Sequence, residues 1–374
     1  MAPEFTEDME SYNCGLRNIF IWASELGTNG YPCLVGGCYT DGKLQNSILH
    51  EWTNEILLRK ATGTPVEYAL VYVNKPVTKR WEGPKMNCRL EFTQYLEDFL
   101  ALPEIARHDP SIVFQWDGPK KKLAPLASAT TAQEGNYFLC ELSRARGRVS
   151  AANPDLTELL IKSRTANEAR SQGVKKEASH RSPKTRQEVR DRDACCRVTG
   201  TKVIVRVRGD NYKGFQSAHI FPLAYWYKAK EIFKSMKMEE LFNSLATVKD
   251  ENGDMRDVKA DLPENAFLVR SDVHDQFDDY QCGYWMVNGV LILFRIEKNG
   301  APSVPDDLFG KPLRPAQGNP IRAPKGKGEK ATNTKGSKIK EPDPRLFKVH
   351  FVTALRWHFA GFGRDPQEKK YTWS

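Results

Sequence analysis

Four side chains in the middle of the sequence have types and spacings that could do chemistry: His219, Asn265, His274 and Asp278. His274 and Asp278 are four residues apart, so on a helix they project from one face. An imidazole and a carboxylate placed that way make half of a divalent-metal site. His219 stands at the end of an apolar run, immediately before Ile220-Phe-Pro222, where proline stops a strand ladder. A histidine there is held firmly, and a neutral imidazole near pH 7 is well matched to accept a proton from water.

Taken one at a time, each residue has an ordinary reading. His219 alone reads as a satisfied structural histidine. His274 with Asp278 reads as a surface pair, and Asn265 as a loop residue or cap. The order in which they occur is the informative feature. Cys196-Arg-Val-Thr-Gly200 is followed by the β-rich run Lys202–Gly209 and then by Phe215-Gln-Ser-Ala-His219-Ile-Phe-Pro222. A helical insert spans about 222–248. Glu264-Asn265-Ala-Phe-Leu268 then leads into His274-Asp-Gln-Phe277-Asp278, and Asn288-Gly289 separates two apolar runs as a hairpin turn. Ser271 is the expected N-cap of a helix starting near Asp272, with Val273, Phe277 and Tyr280 on its packing face.

This arrangement resembles the HNH nuclease family, and within it the branch common in fungal proteins. The branch has a Cys-x-x-Thr-Gly start, an Ala-His-Ile-x-Pro strand end, and an Asn leading through a Leu to His-x-x-Phe-Asp. Leu355-Arg-Trp-His358-Phe is similar to a segment that often follows the domain there. The resemblance implies a ββα-metal fold that hydrolyses nucleic-acid phosphodiesters, DNA ahead of RNA, with one divalent cation (Mg²⁺ or Mn²⁺, Zn²⁺ also compatible). It implies His219 as general base and His274 with Asp278 as metal ligands. Asn265 would fix the His219 ring or complete the metal shell through its amide oxygen. Arg206, Arg208, Lys213 and Arg270 are the expected substrate contacts. Ala218 departs from the many members that carry an Asp or His ligand there. Water, Asn265 or one of Asp272, Asp275 and Asp279 would have to fill the shell. An inactive nucleic-acid-binding relic of the same fold is the alternative.

The elements around this block predict an α+β chain. The 374 residues hold 40% apolar side chains, enough for two domains. An N-terminal mixed α+β domain is expected over 1–150, with strands at Asn18–Ala23, Tyr31–Gly36, Val66–Val73 and Ser111–Trp116. Helices are expected at Leu44–Arg59 and Glu91–Leu102. No motif assigns this domain a role; a protein-interaction module that targets the nuclease is one possibility. A helix (Asp155–Arg170) and a basic linker (Ser171–Arg192) fill the region up to about 190. The nuclease domain follows over 191–300, a second basic linker over 301–344, and a C-terminal helix and tail over 345–374. That helix carries Phe347, Phe351, Leu355 and Phe359 along one stripe.

A net charge of +9 favours polyanionic partners. No apolar run is long enough to span a bilayer, and Met1–Tyr12 has no signal-peptide pattern, so neither a membrane nor the secretory route is expected. Eight scattered cysteines without a C-x-x-C pair suit reduced thiols in the cytoplasm or nucleus, and disfavour a four-cysteine zinc site.

Overall fold

The computed structural model describes residues 17–26, 32–57, 68–73, 113–116, 124–127, 129–141, 182–204, 211–249, 254–318 and 339–359. The expected helices at 91–102 and 155–170, Arg206 and Arg208, and the basic residues 171–181 and 320–338 lie outside them. The chain divides into two compact units, one holding residues 1–160, 295–300 and 354–374, the other 161–294 and 301–353.

In the first unit, six strands form one mixed sheet. These are β1 (Ile19–Leu26), β2 (Pro32–Cys38), β3 (Tyr68–Val73), β4 (Val113–Trp116), β5 (Ala124–Leu126) and β6 (Gly135–Glu141), in the order β2-β1-β6-β3-β4-β5. β1 runs parallel to β6 and β3 parallel to β4, and the other neighbours are antiparallel. Helix α1 (Asn46–Leu57) turns Ile48, Leu49 and Trp52 inward. All four expected strands and the first helix therefore exist, in an α+β arrangement.

The second unit is built on a small antiparallel ladder. β7 (Phe215–His219) pairs with β10 (Ala266–Arg270), with His219 opposite Ala266 and Ser217 opposite Leu268. Side chains alternate across such a ladder. Phe215, Ser217, His219, Ala266 and Leu268 share one face, and Gln216, Ala218, Phe267 and Val269 share the other.

Helix α2 (Pro183–Asp193) covers the first face, where its Val189 packs with Ala266, Leu268 and Val203 and with the partly buried Tyr212 and Phe215. Helix α5 (Ser271–Asp278), which follows β10 without a loop, covers the second, where Phe277 meets Phe267 edge-on at 5.2 Å. Ser271 is the first helical residue rather than the cap. The capping position falls on Arg270, which has extended backbone angles and makes no side-chain cap.

Between β7 and β10 lies the insert. A 3₁₀ turn (Leu223–Lys228) leads to α3 (Ala229–Ser235) and α4 (Glu239–Ala246), then to a short hairpin of β8 (Thr247–Lys249) and β9 (Met255–Asp257). Rings close it internally, Phe221 against Phe233 at 5.1 Å and Trp226 stacked on Phe242 at 5.0 Å. After α5, β11 (Cys282–Val287) and β12 (Val290–Arg295) form the expected hairpin. Its turn places Asn288 at φ 49° and Gly289 at φ 80°, the left-handed pair that a tight hairpin of this kind requires. The C-terminal helix α6 (Pro344–Phe359) delivers Phe347 between Phe267 and Tyr284, at 5.3 Å from each ring.

Two expected linkers are corrected. The second half of the 171–192 stretch is α2, capped by the Ser182 hydroxyl, which accepts from the Thr185 N–H, and opened by Pro183. Periodicity misses it because charge, more than apolar surface, anchors it. Arg192 and Asp193 at its C-terminal end are both fully buried. All five N–H donors of the Arg192 guanidinium are used: two reach Asp193, and the others reach the carbonyls of Pro263, Lys340 and Ala266. Asp193 also accepts from Arg197 Nη1 at 2.8 Å and from the Leu268 N–H at 2.7 Å, and Arg197 continues to Glu341 at 3.0 Å. A buried charge network is tolerable only when every member is satisfied this way.

The start of the second linker is likewise ordered. Pro312 bridges to Ile292, and the N–H groups of Gln317 and Gly318 cap the end of α2 on the carbonyls of Asp193 and Arg192. A Cβ on Gly318 would fall 2.0 Å from the Asp191 carbonyl oxygen, so only glycine lets the chain approach α2 this closely.

Candidate active site

His219 closes β7 with its side chain on the α2 face, almost buried. Its Nε2 lies 3.2 Å from Asp261 Oδ1. Asp261 is held in turn by α2, because Oδ2 accepts the Ser182 N–H and the Asp261 carbonyl accepts the Thr185 hydroxyl at 3.0 Å. A carboxylate beside the first turn of a helix is also favoured by the helix dipole. Sequence reasoning missed Asp261. It lies 42 residues from His219 at the end of the insert, and no spacing rule connects the two. The only local signal is an acidic residue shortly before the Asn of the motif.

Asn265 is fully buried at the start of β10. Its Oδ1 accepts the Phe221 N–H at 2.7 Å, and its Nδ2 donates to the carbonyls of Phe221 (2.9 Å) and Ala260 (3.0 Å). The amide therefore reaches neither the His219 ring nor a metal shell. It ties the chain two residues past His219 to the residue before Asp261, so it fixes the distance between the partners of the His219–Asp261 pair.

His274 and Asp278 project from one face of α5, as the spacing predicts, with Nε2 and Oδ2 3.3 Å apart. Gln216 Oε1 lies 2.7 Å from His274 Nδ1. With the Gln216 carbonyl accepting from Nδ1–H, Nε2 and the Asp278 carboxylate are the groups that would hold a divalent cation. A metal-bound imidazole is usually oriented by such a bond on its other nitrogen. The two donors therefore fit one end of a divalent-cation site. Among the described residues no third His, Cys, Asp or Glu converges on them. Of the acids suggested as substitutes for Ala218, Asp272 is paired with Arg270 through two contacts, and Asp275 and Asp279 are exposed.

The two pairs thus occupy opposite faces of the β7–β10 ladder, with the strand itself between them. Gln216 and His219 of β7 both line one open cleft of about 240 Å³. Because it touches consecutive residues of alternating direction, that cleft lies along the outer edge of the strand. Its other wall is α2, which contributes Thr185, Arg186 and Arg190. Of the cations expected to meet substrate, Arg206 and Arg208 lie outside the described residues. Arg270 is occupied by Asp272, and Lys213 is exposed on the turn before β7 without lining the cleft.

Among the described residues no helix is long and apolar enough to cross a membrane. Cys38, Cys195, Cys196 and Cys282 are buried thiols outside any disulfide, and burial pushes that of Cys195 up to about 11. No curated protein and no solved structure matches the chain. One family model does, that of the HNH endonucleases, over residues 196–283, a span that runs from the Cys-x-x-Thr-Gly turn through β7, the insert, β10 and α5 into β11. Residues 196–283 of this chain are thus similar to the HNH endonuclease family.

Proposed function

We propose that the second unit hydrolyses nucleic-acid phosphodiesters, DNA in preference to RNA, in a metal-dependent reaction. The observation that carries this reading is the His219–Asp261 pair at the end of β7, held at 3.2 Å in a cleft walled by the arginines of α2. Asp261 accepts from Nε2–H, which fixes the ring orientation, and the imidazole takes the proton of an attacking water. Water adds to phosphorus, the P–O3′ bond breaks, and the products carry 5′-phosphate and 3′-hydroxyl ends. His274 and Asp278 are the residues that would hold the cation, with Gln216 orienting the imidazole. The chemistry that a divalent cation held there would supply is Lewis-acid stabilisation of a phosphate and its departing oxygen. Asn265 keeps the pair together through the backbone on both sides.

The test is cleavage of supercoiled plasmid and single-stranded DNA by the purified chain in Mg²⁺ or Mn²⁺, with and without EDTA. Metal-dependent nicking that drops about two to four orders of magnitude in His219→Ala is the expected result. Absence of cleavage with every divalent ion would refute it.

One observation favours a second reading, a nucleic-acid-binding module without turnover. Ala218 stands where many relatives of this fold place a ligand, and among the described residues only two metal-donor side chains converge. Under that reading His219→Ala leaves every measurable property of the bound complex unchanged.

A further inference from the structure

We infer that the cleft between α2 and the edge of β7 grips a nucleic-acid backbone phosphate through Arg186 and Arg190. This rests on the nuclease reading for the identity of the polyanion, and on the geometry of α2 for the site. Arg186 and Arg190 are four residues apart on an eleven-residue helix, so they project from one face, and both line the cleft beside His219.

Neither guanidinium is engaged by a carboxylate among the described residues. By contrast, Arg192, Arg197, Arg270 and Arg345 are all in ion pairs. Arg190 is pre-set. Its guanidinium lies 4.5 Å over the Tyr212 ring, a stack that fixes its plane and leaves its edges to form hydrogen bonds. Its Nε is buried with no hydrogen-bond partner. Across the cleft the Ser217 hydroxyl is in the same condition, buried and unpartnered.

A buried N–H and a buried hydroxyl left unsatisfied each carry a desolvation cost, and a ligand that accepts from both removes it. A planar fork with a hydroxyl opposite suits a tetrahedral oxyanion. Among the described residues that line the cleft the one carboxylate, Asp261, is held by His219 Nε2 and the Ser182 N–H. A phosphate seated here adjoins His219, so the same grip that supplies affinity also sets the register of the strand at the reacting end of β7. The arginine contact proposed here lies on a helix that hydrophobic periodicity did not reveal.

The experiment measures binding of a fluorescein-labelled duplex DNA oligonucleotide to the full chain in EDTA, where no turnover occurs, over a series of salt concentrations. Arg186→Gln and Arg190→Gln are each expected to raise Kd about three- to tenfold. The double variant should lose thirtyfold or more and flatten the slope of log K against log[salt] by about one. Because Arg190 also packs on Tyr212, the exposed Arg186→Glu serves as a variant whose folding is not at stake, and it should weaken binding more than tenfold. Inorganic phosphate at millimolar concentration should compete with DNA for wild type and not for the double variant. If instead phosphate binds and DNA affinity is the same in wild type and double variant, a free-anion site replaces this proposal. Unchanged Kd and salt slope in Arg186→Glu and the double variant overturn it outright. Failure of the nuclease reading looks different: the arginine-dependent binding persists while no divalent ion supports cleavage.

Discussion

Helices α2 and α5 flank the same two-stranded ladder, and they are attached to it by different physics. α5 offers Val273 and Phe277 to Phe267 and, beyond it, to Phe347 of α6, an aromatic contact of the usual core kind. α2 offers one apolar residue, Val189, and a buried Arg-Asp pair whose bonds go mostly to backbone carbonyls and one strand N–H. The aromatic side degrades gradually when a ring is trimmed. The charged side depends on completeness, since removing one member strands the other in a low-dielectric interior. The division also separates the groups of the proposed site: the His219–Asp261 pair and the arginines lie on the charged side, the His274–Asp278 pair on the aromatic side.

The sharpest way to break this contrast is Arg192→Ala. It should cost about 3–5 kcal/mol, because Asp193 is left buried with part of its compensation gone. Chemical denaturation should record the loss, and limited proteolysis should find 183–193 newly cleavable. An effect below 1 kcal/mol would mean that α2 is held by its apolar contact alone. Phe277→Ala, on the other side, should also cost about 3–5 kcal/mol, with α2 remaining protected from protease.

Asn265→Ala ranks next. It orphans a buried N–H and two carbonyls at the seam between β7 and the insert, for a cost of about 2–3 kcal/mol. Turnover should fall well beyond what residual folding explains, since the His219–Asp261 distance is no longer fixed. Metal affinity, measured by calorimetric titration, should stay close to wild type. Loss of the ion in Asn265→Ala would restore the amide to the metal shell.

A pH dependence belongs to the aromatic side. His350 on α6 is stacked 3.7 Å over Phe277, with Nε2 3.0 Å from the Phe277 carbonyl, and burial pulls its pKa from 6.5 down to about 3. The unfolded chain takes up a proton as pH falls below 6.5 while the folded chain does not. Stability therefore drops on acidification between about pH 6.5 and 3, by up to about 1.4 kcal/mol per pH unit from this group. His350→Gln should remove that component of the slope in denaturation curves taken at stepped pH. An unaltered slope would assign it elsewhere. The smallest expected effect is Arg270→Ala: its ion pair with Asp272 is well exposed, and about 0.5 kcal/mol or less is at stake.

The same contrast explains what the sequence discloses. β7, β10, α5 and the β11–β12 hairpin follow from apolar alternation, the four-residue spacing of His274 and Asp278, and Asn288-Gly289. In each of these, local chemistry and tertiary role agree. α2 reads as a linker because its burial is achieved by pairing Arg192 with Asp193 and with carbonyls up to 148 residues away, which no local pattern encodes. Ser182 and Pro183 were the available signals, a cap followed by proline at the first helical position. Asp261 was hidden for the same reason: its role depends on where the insert returns. Asn265 was legible as important and misread in role, since its type and position do not reveal whether the amide turns toward a ring, an ion or the backbone.

The most direct test of the central claim is a double-mutant cycle on plasmid cleavage with His219→Ala, Asp261→Asn and the pair combined. If Asp261 acts through His219, Asp261→Asn alone lowers turnover, and it lowers nothing further once His219 is gone. Independent losses that multiply in the double variant, or full activity in Asp261→Asn, would contradict the account.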